Sequence, residues 1–146
     1  MEYTYKYPRP ALTVDAIVIS RGANNSGMLL LIQRKNDPFK GKWALPGGFV
    51  DINEKLEEAA ARELKEETGV GGLDLKQFYV FDAMDRDPRD RTISVVHYSF
   101  TNDILPVKGS DDARDAKWFP LNELPDLAFD HRTIIDQFII NMRYER

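Results

Sequence analysis

The chain has 146 residues, the size of one domain around one core, and its 42% hydrophobic and 30% charged residues exclude a disordered chain. No apolar run reaches the 18 residues of a membrane span, and the absence of cysteine excludes disulfides and thiolate metal sites. A net charge of −4 without a long basic run argues against sequence-independent binding to a nucleic acid polymer.

The N-terminus, MEYTYKYPRP, has no apolar core of the signal-peptide kind, so a cytoplasmic location is expected. Its alternating Tyr3, Tyr5 and Tyr7 suit an edge strand, a partner subunit or a stacked base. Residues 12–19, LTVDAIVI, read as a strand, and the turn-rich 21–27 as a hairpin loop leading to a buried strand over 28–33. A loop over 34–42 follows. Short strands 43–45 and 49–50 flank a tight turn at Pro46-Gly47-Gly48. A helix is expected over 53–68, capped by Asp51 or Asn53 and ended by Gly69. Strands over 73–83 and 92–101 are divided by the charged segment 85–91, DRDPRDR. A last strand at 116–119 and a helical turn at 121–124 precede a helix over 131–143, for which Asp130 is a cap or, alternatively, a substrate contact. Strands with one internal and one terminal helix imply an α+β fold, an α/β/α sandwich with a mixed sheet between helices.

The informative stretch is 48–70, GFVDINEKLEEAAARELKEETGV. On a helix, Glu63, Glu66 and Glu67 stand beside one another, and such like charges call for a cation among them. A hard divalent ion prefers carboxylate oxygens and fits that need. Leu56, Ala60, Glu63 and Glu67 fall within an arc of roughly 60°, so two carboxylates share the apolar side of the helix. A solvated helix keeps its acids on the opposite side.

Gly48, Glu54, Arg62-Glu63-Leu64, Glu66-Glu67 and Gly69-Val70 stand at the spacings of the Nudix box, which this stretch resembles at every defining position. That resemblance implies a loop–helix–loop that binds magnesium or manganese and hydrolyses a nucleoside diphosphate linked to another moiety. It implies Glu63, Glu66 and Glu67 as metal-binding carboxylates, Arg62 and Glu54 as a bracing ion pair, and Gly48 as backbone close to the metal. Arg62 and Glu54 are about two turns apart, so either the loop brings Glu54 back or Arg62 orients Glu63 and Glu66.

The segments LLLIQRKNDPFKGKWALPGGFVD, FDAMDRDPRDRTISVVHYSF and WFPLNELPDLAFDHRTIIDQFI are similar to the ADP-ribose pyrophosphatase-like branch, which also holds transcription regulators and commonly forms homodimers. The expected activity is cleavage of ADP-ribose to AMP and ribose 5-phosphate. Oxidised nucleoside triphosphates or other nucleotide sugars are the alternative substrates, and a non-catalytic ligand sensor is the alternative of another class. The intact box, and a chain that ends after its terminal helix, speak against the sensor. The proline that many such enzymes carry about 15 residues after the box is not at Met84-Asp85; Pro88 is the nearest.

Under that reading, Arg34, Lys40 and Lys42 precede the box and can meet a diphosphate. Arg86, Arg89 and Arg91 either hold substrate oxygens or form salt bridges with Asp85, Asp87 and Asp90 in a solvated loop. Trp43 is a core residue or a stacking platform for a base. His97, in mid-strand, reads as a satisfied structural histidine. A chain with two histidines is a poor source of a histidine metal site.

Overall fold

A computed structural model describes residues 2–22, 27–109 and 113–144. Residues 23–26 of the expected 21–27 hairpin loop lie outside the described residues. The strands are β1 (Ala11–Ser20), β2 (Met28–Arg34), β3 (Trp43–Ala44), β4 (Gly47–Phe49), β5 (Lys76–Phe81), β6 (Thr92–Thr101) and β7 (Ala113–Pro120). The helices are α1 (Leu56–Thr68) and α2 (His131–Tyr144).

All seven strands join one mixed sheet, in the order β3-β2-β1-β6-β5, with β4 on β1 and β7 on β2. β1 and β6 run parallel along their whole lengths, and the other pairs are antiparallel. The pleat of β1 explains why the sheet is covered on both faces. Val14, Ala16 and Val18 point toward α1, where they pack with Ala59, Ala60 and Leu64. Ile17 and Ile19 point the other way, onto Ile134, Ile135 and Phe138 of α2. The α/β/α sandwich follows from that alternation.

The same sheet makes a cleft. β1 and β2 pair only near their hairpin end, through Ile19–Leu29 and Ser20–Met28. Beyond it they take different partners: β4 joins β1 at Thr13–Asp15, and β3 joins β2 at Ile32–Gln33. The chain from β3 to β4 crosses the split between them. Gly47 and Gly48 therefore lie within a strand, not at the tip of a hairpin between 43–45 and 49–50, because β3 and β4 pair with different neighbours.

Other expectations shift at element ends. Helix α1 starts at Leu56 rather than 53, because Asp51 and Glu54 form a turn in which Asp51 N–H donates to Glu54 Oε1 (2.8 Å). Neither Asp51 nor Asn53 caps the helix. Lys55 holds that position, and its N–H donates to Glu58 Oε1 (2.9 Å). Gly69 ends the helix in the left-handed conformation, φ 80°, with its N–H on the Lys65 carbonyl. Residues 73–75 precede β5 as coil, with Leu75 buried against the α1 side of the core. β7 is longer than expected because it pairs with β2 from Met28 to Arg34. Residues 121–124 form a turn and no helix.

Candidate active site

The cleft at the split has a volume of about 470 Å³. Its walls come from β1 (Thr13, Asp15), β2 (Ile32, Arg34), the β3–β4 segment (Leu45, Gly47, Gly48, Phe49), α1 (Glu63, Glu67) and two loops (Arg86, Asp87, Arg89; Phe129, His131).

One end is acidic. Glu67 is buried, as the helix phase requires, and its Oε1 accepts from Gly47 N–H at 2.7 Å. Glu63 lies against Gly48 so closely that a side chain there would bring its Cβ to 2.6 Å from the carboxylate. Glycine is needed for that approach rather than for a turn. Glu66, one helical step away, is largely exposed and does not line the cleft.

Arg62 organises these acids. Its Nε and Nη2 donate to Glu54 (3.0 and 2.7 Å), its Nη1 to Glu63 (2.8 Å) and Glu66 (3.3 Å), and its Nη2 also to the Phe49 carbonyl (3.0 Å). Both routes open to Arg62 in the sequence are thus realised at once. The hydrogen bonds from Arg62, helped by the Asp51 N–H, hold the Glu54 carboxyl down at about 2, and the same contacts raise Arg62.

The cation expected among the clustered acids is therefore, in the protein alone, the Arg62 guanidinium. Among the described residues no three acids or histidines stand ready-gathered around an ion. The donors nevertheless suit one in kind. Glu63, Glu66 and Glu67 offer oxygen only, the choice of hard divalent ions, and Gly48 leaves open the space beside Glu63 that a Cβ would fill.

Two arginines line the same cleft. Arg34 donates to the carbonyls of Pro38 (2.7 Å) and Asn36 (3.5 Å), and its guanidinium lies 4.9 Å from the centre of the Phe129 ring. Arg89 lies 5.7 Å from the same ring. Burial and then the nearby Arg89 charge lower the pKa of Arg34. Phe129 adopts φ 53°, uncommon for a bulky residue, and packs edge-on against Phe39. Two guanidiniums thus stand beside one ring in the cleft wall.

The 85–91 loop is neither wholly substrate-facing nor solvated. Arg86 is buried and donates from Nε and Nη2 to both oxygens of Asp130 (3.0 and 2.8 Å), not to a loop aspartate. Asp130 is thereby committed to Arg86 rather than to capping α2 with its side chain. Arg89 is held by Asp87 (3.1 and 2.8 Å). Burial raises the Asp87 pKa, but the bonds from the Arg89 side chain and backbone outweigh it and the net direction is down. Arg91 donates to the Asp82 carbonyl and ties the loop ends together.

Lys42 and Trp43 stand outside the cleft. Lys42 is exposed, with its ammonium 6.0 Å from the Phe39 ring. The Trp43 indole packs edge-on against Phe119 (4.8 Å) on the α2 side of the core. Lys40 does not line the cleft either. His97 is only half satisfied. Its Nδ1 meets the Val95 carbonyl (3.1 Å), while Nε2 is buried without a hydrogen-bond partner among the described residues. Burial lowers the pKa of His97.

Sequence reasoning missed Asp15, Phe129 and the part played by His131. Asp15 is buried and accepts from the Ser94 hydroxyl. His131 Nδ1 accepts from Leu45 N–H (3.0 Å), and its Nε2 faces Asp15 Oδ1 at 3.6 Å. Burial pushes the pKa of His131 down. Asp15 had a signal, since it is the one charged residue of its strand and a buried carboxylate needs partners. Phe129 had none.

In comparison with known proteins, residues 9–138 match the NUDIX domain family model. The chain is 46% identical over 135 residues to an ADP-ribose pyrophosphatase of Methanocaldococcus jannaschii, covering 91% of this chain and 75% of that protein. It is 36% identical over 135 residues to the ADPR responsive transcriptional repressor NtrR of Acinetobacter baylyi, where it spans only 54% of the relative. Among solved structures, the NUDIX domain of Shewanella oneidensis NrtR complexed with ADP ribose matches with a TM-score of 0.87 at 32% identity, over 96% of this chain and 94% of that one. A bifunctional NMN adenylyltransferase/ADP ribose pyrophosphatase of Francisella tularensis, complexed with AMP and a manganese ion, matches with a TM-score of 0.80 at 33% identity, over 94% of this chain and 43% of that one. The class that fold and cleft define is a pyrophosphohydrolase. The chain belongs to the NUDIX family, whose hydrolases generally need divalent metal ions.

Proposed function

We propose that this chain hydrolyses the diphosphate of ADP-ribose to AMP and ribose 5-phosphate, with magnesium or manganese as its ion. The observation that carries the reading is one cleft whose walls bring Glu63 and Glu67 of α1 together with Arg34 and Arg89 beside Phe129. A diphosphate between two sugars offers anionic oxygens to the arginines and to an ion held at the carboxylates. The ADP-ribose pyrophosphatase among the relatives supports the substrate.

Glu63, Glu66 and Glu67 would hold the ion, with the Gly48 backbone beside it. When bound, it neutralises phosphoryl oxygens and lowers the pKa of a water. Arg34 and Arg89 bind and orient the anionic substrate, and Asp87 holds the Arg89 fork ready for paired oxygens. The oxygen of water joins one phosphorus, the bridging P–O bond breaks, and the other phosphate leaves with the bridging oxygen. A general base takes the proton of that water: Glu66, Glu67 or a group from a later loop. Arg62 keeps its neighbours aligned throughout.

A homodimer is part of the proposal. Support comes from the exposed Tyr79 and Val80 on β5, the edge of the sheet, and sedimentation of the purified chain checks it. The activity is tested by separating the products formed from ADP-ribose with magnesium, with manganese and with excess chelator. Equal amounts of AMP and ribose 5-phosphate with either ion, and none in chelator, are expected. Undiminished hydrolysis in chelator, or another product pair, contradicts the reading.

A further inference from the structure

Residues 126–131 run alongside β3 as a short ladder. Trp43 N–H donates to the Asp126 carbonyl (3.2 Å), Ala128 N–H donates to the Trp43 carbonyl (2.8 Å), and Leu127 bridges Trp43 in parallel sense. The next donor on that side, one residue past β3, is Leu45 N–H. The partner segment stops there, because the Ala128 carbonyl accepts instead from His131 N–H (3.2 Å), where α2 begins. The imidazole Nδ1 of His131 takes the place of the missing carbonyl and accepts from Leu45 N–H at 3.0 Å. An accepting Nδ1 leaves the proton of the neutral ring on Nε2, the nitrogen that faces Asp15.

This bond fixes the chain just before the glycines. Pro46 is held from β1 by Ala16 N–H (2.8 Å), and Gly47 and Gly48 pair with Asp15 and Val14. Gly47 N–H then reaches Glu67, and Gly48 lies against Glu63. Any drift of Leu45 passes through two residues to the N–H that holds Glu67.

We propose that His131 is a positioning residue for the carboxylate centre: by accepting from Leu45 N–H it holds the 45–48 backbone where Gly47 orients Glu67 and Gly48 admits Glu63. The inference rests on the reading of Glu63 and Glu67 as ion-binding groups. Asp15, tied to Ser94 and facing Nε2, keeps the ring from turning over.

The test compares two amides at position 131. In His131→Asn the side-chain oxygen occupies the Nδ1 position and still accepts from Leu45. In His131→Gln the amide reaches the Nε2 position toward Asp15 and leaves Leu45 N–H without its acceptor. Manganese alone is titrated into the metal-free 146-residue chain by calorimetry, with Glu67→Gln as control and the melting temperature recorded for each variant. His131→Gln is expected to weaken manganese binding about 10- to 100-fold, the range for lost support of a metal ligand, and His131→Asn by less than about tenfold. Equal affinities for the two amides, or losses that merely follow melting temperature, overturn the positioning role. If Glu67→Gln binds manganese as the parent does, the carboxylate centre itself is misassigned and the inference falls with it. A measurement on the unaltered protein needs no variant to fold: a 15N–15N coupling across the hydrogen bond from Leu45 N–H to His131 Nδ1 is expected, and its absence from a well-resolved spectrum overturns the anchor.

Discussion

Arg62 resolves the like-charge problem of its own helix, since one guanidinium reaches Glu54, Glu63, Glu66 and the Phe49 carbonyl. Arg62→Ala is expected to weaken manganese binding about 10- to 100-fold, as loss of a ligand's support does. Stability should fall by only about 1 kcal/mol, because the contacts are partly exposed and screened. An unchanged affinity in a manganese titration would remove Arg62 from the centre. Glu54 carries a pH signature of the same contact. Its carboxyl titrates at about 2 in the folded chain against an ordinary 4.5. A depressed folded value contributes stability that is fully present above 4.5 and lost as pH falls toward 2. Melting curves of the parent and Glu54→Gln should therefore differ at neutral pH and converge between those values. A gap that stays constant down to pH 2 would contradict the pairing.

At the scale of elements, β4 and α1 form one unit in which glycine backbone meets carboxylate side chains. Gly48→Ala puts a Cβ 2.6 Å from the Glu63 carboxylate, so Glu63 must move. A displacement near 1 Å costs on the order of 100-fold in rate when it misplaces a reacting group, and kcat should fall by about that much. Gly69→Ala should do the reverse. It forces a side chain into the left-handed region at φ 80°, costing about 1–2 kcal/mol of stability in urea unfolding, with kcat kept. The sequence made α1 and its phase legible because apolar residues and acids recur at helical spacing, and Glu67 is indeed buried. The start of the helix was not legible, because the Asp51–Glu54 turn competes with it through side-chain bonds that composition does not show. Nor was the role of β4. A Pro-Gly-Gly run reads as a turn, and only the pairing of Gly47 and Gly48 with β1 reveals a strand.

Across the whole molecule, the site is assembled from segments far apart in sequence, and that is where sequence reasoning ran out. Arg86 had nearby aspartates as obvious partners, yet the fold gives it Asp130, 44 residues away. The Asp15–His131 contact likewise joins β1 to the start of α2. Trp43 and Lys42 are close to the box in sequence, but the turn of the chain at β3 sends the indole into the core and leaves the lysine in solvent. Breaking the Arg86–Asp130 pair with Asp130→Asn leaves a buried guanidinium half-compensated. A loss of about 3 kcal/mol is expected in chemical unfolding, and a change below 1 kcal/mol would deny the pair its part in holding the loop. Arg89→Lys keeps the charge but loses the planar fork, so KM for ADP-ribose should rise while stability holds; a silent variant would place Arg89 outside the substrate site. Cleavage of ADP-ribose is tested by kcat/KM for ADP-ribose beside that for 8-oxo-dGTP, measured with saturating magnesium on the parent chain. A higher value for ADP-ribose is the expected result, and a preference for the triphosphate would contradict it.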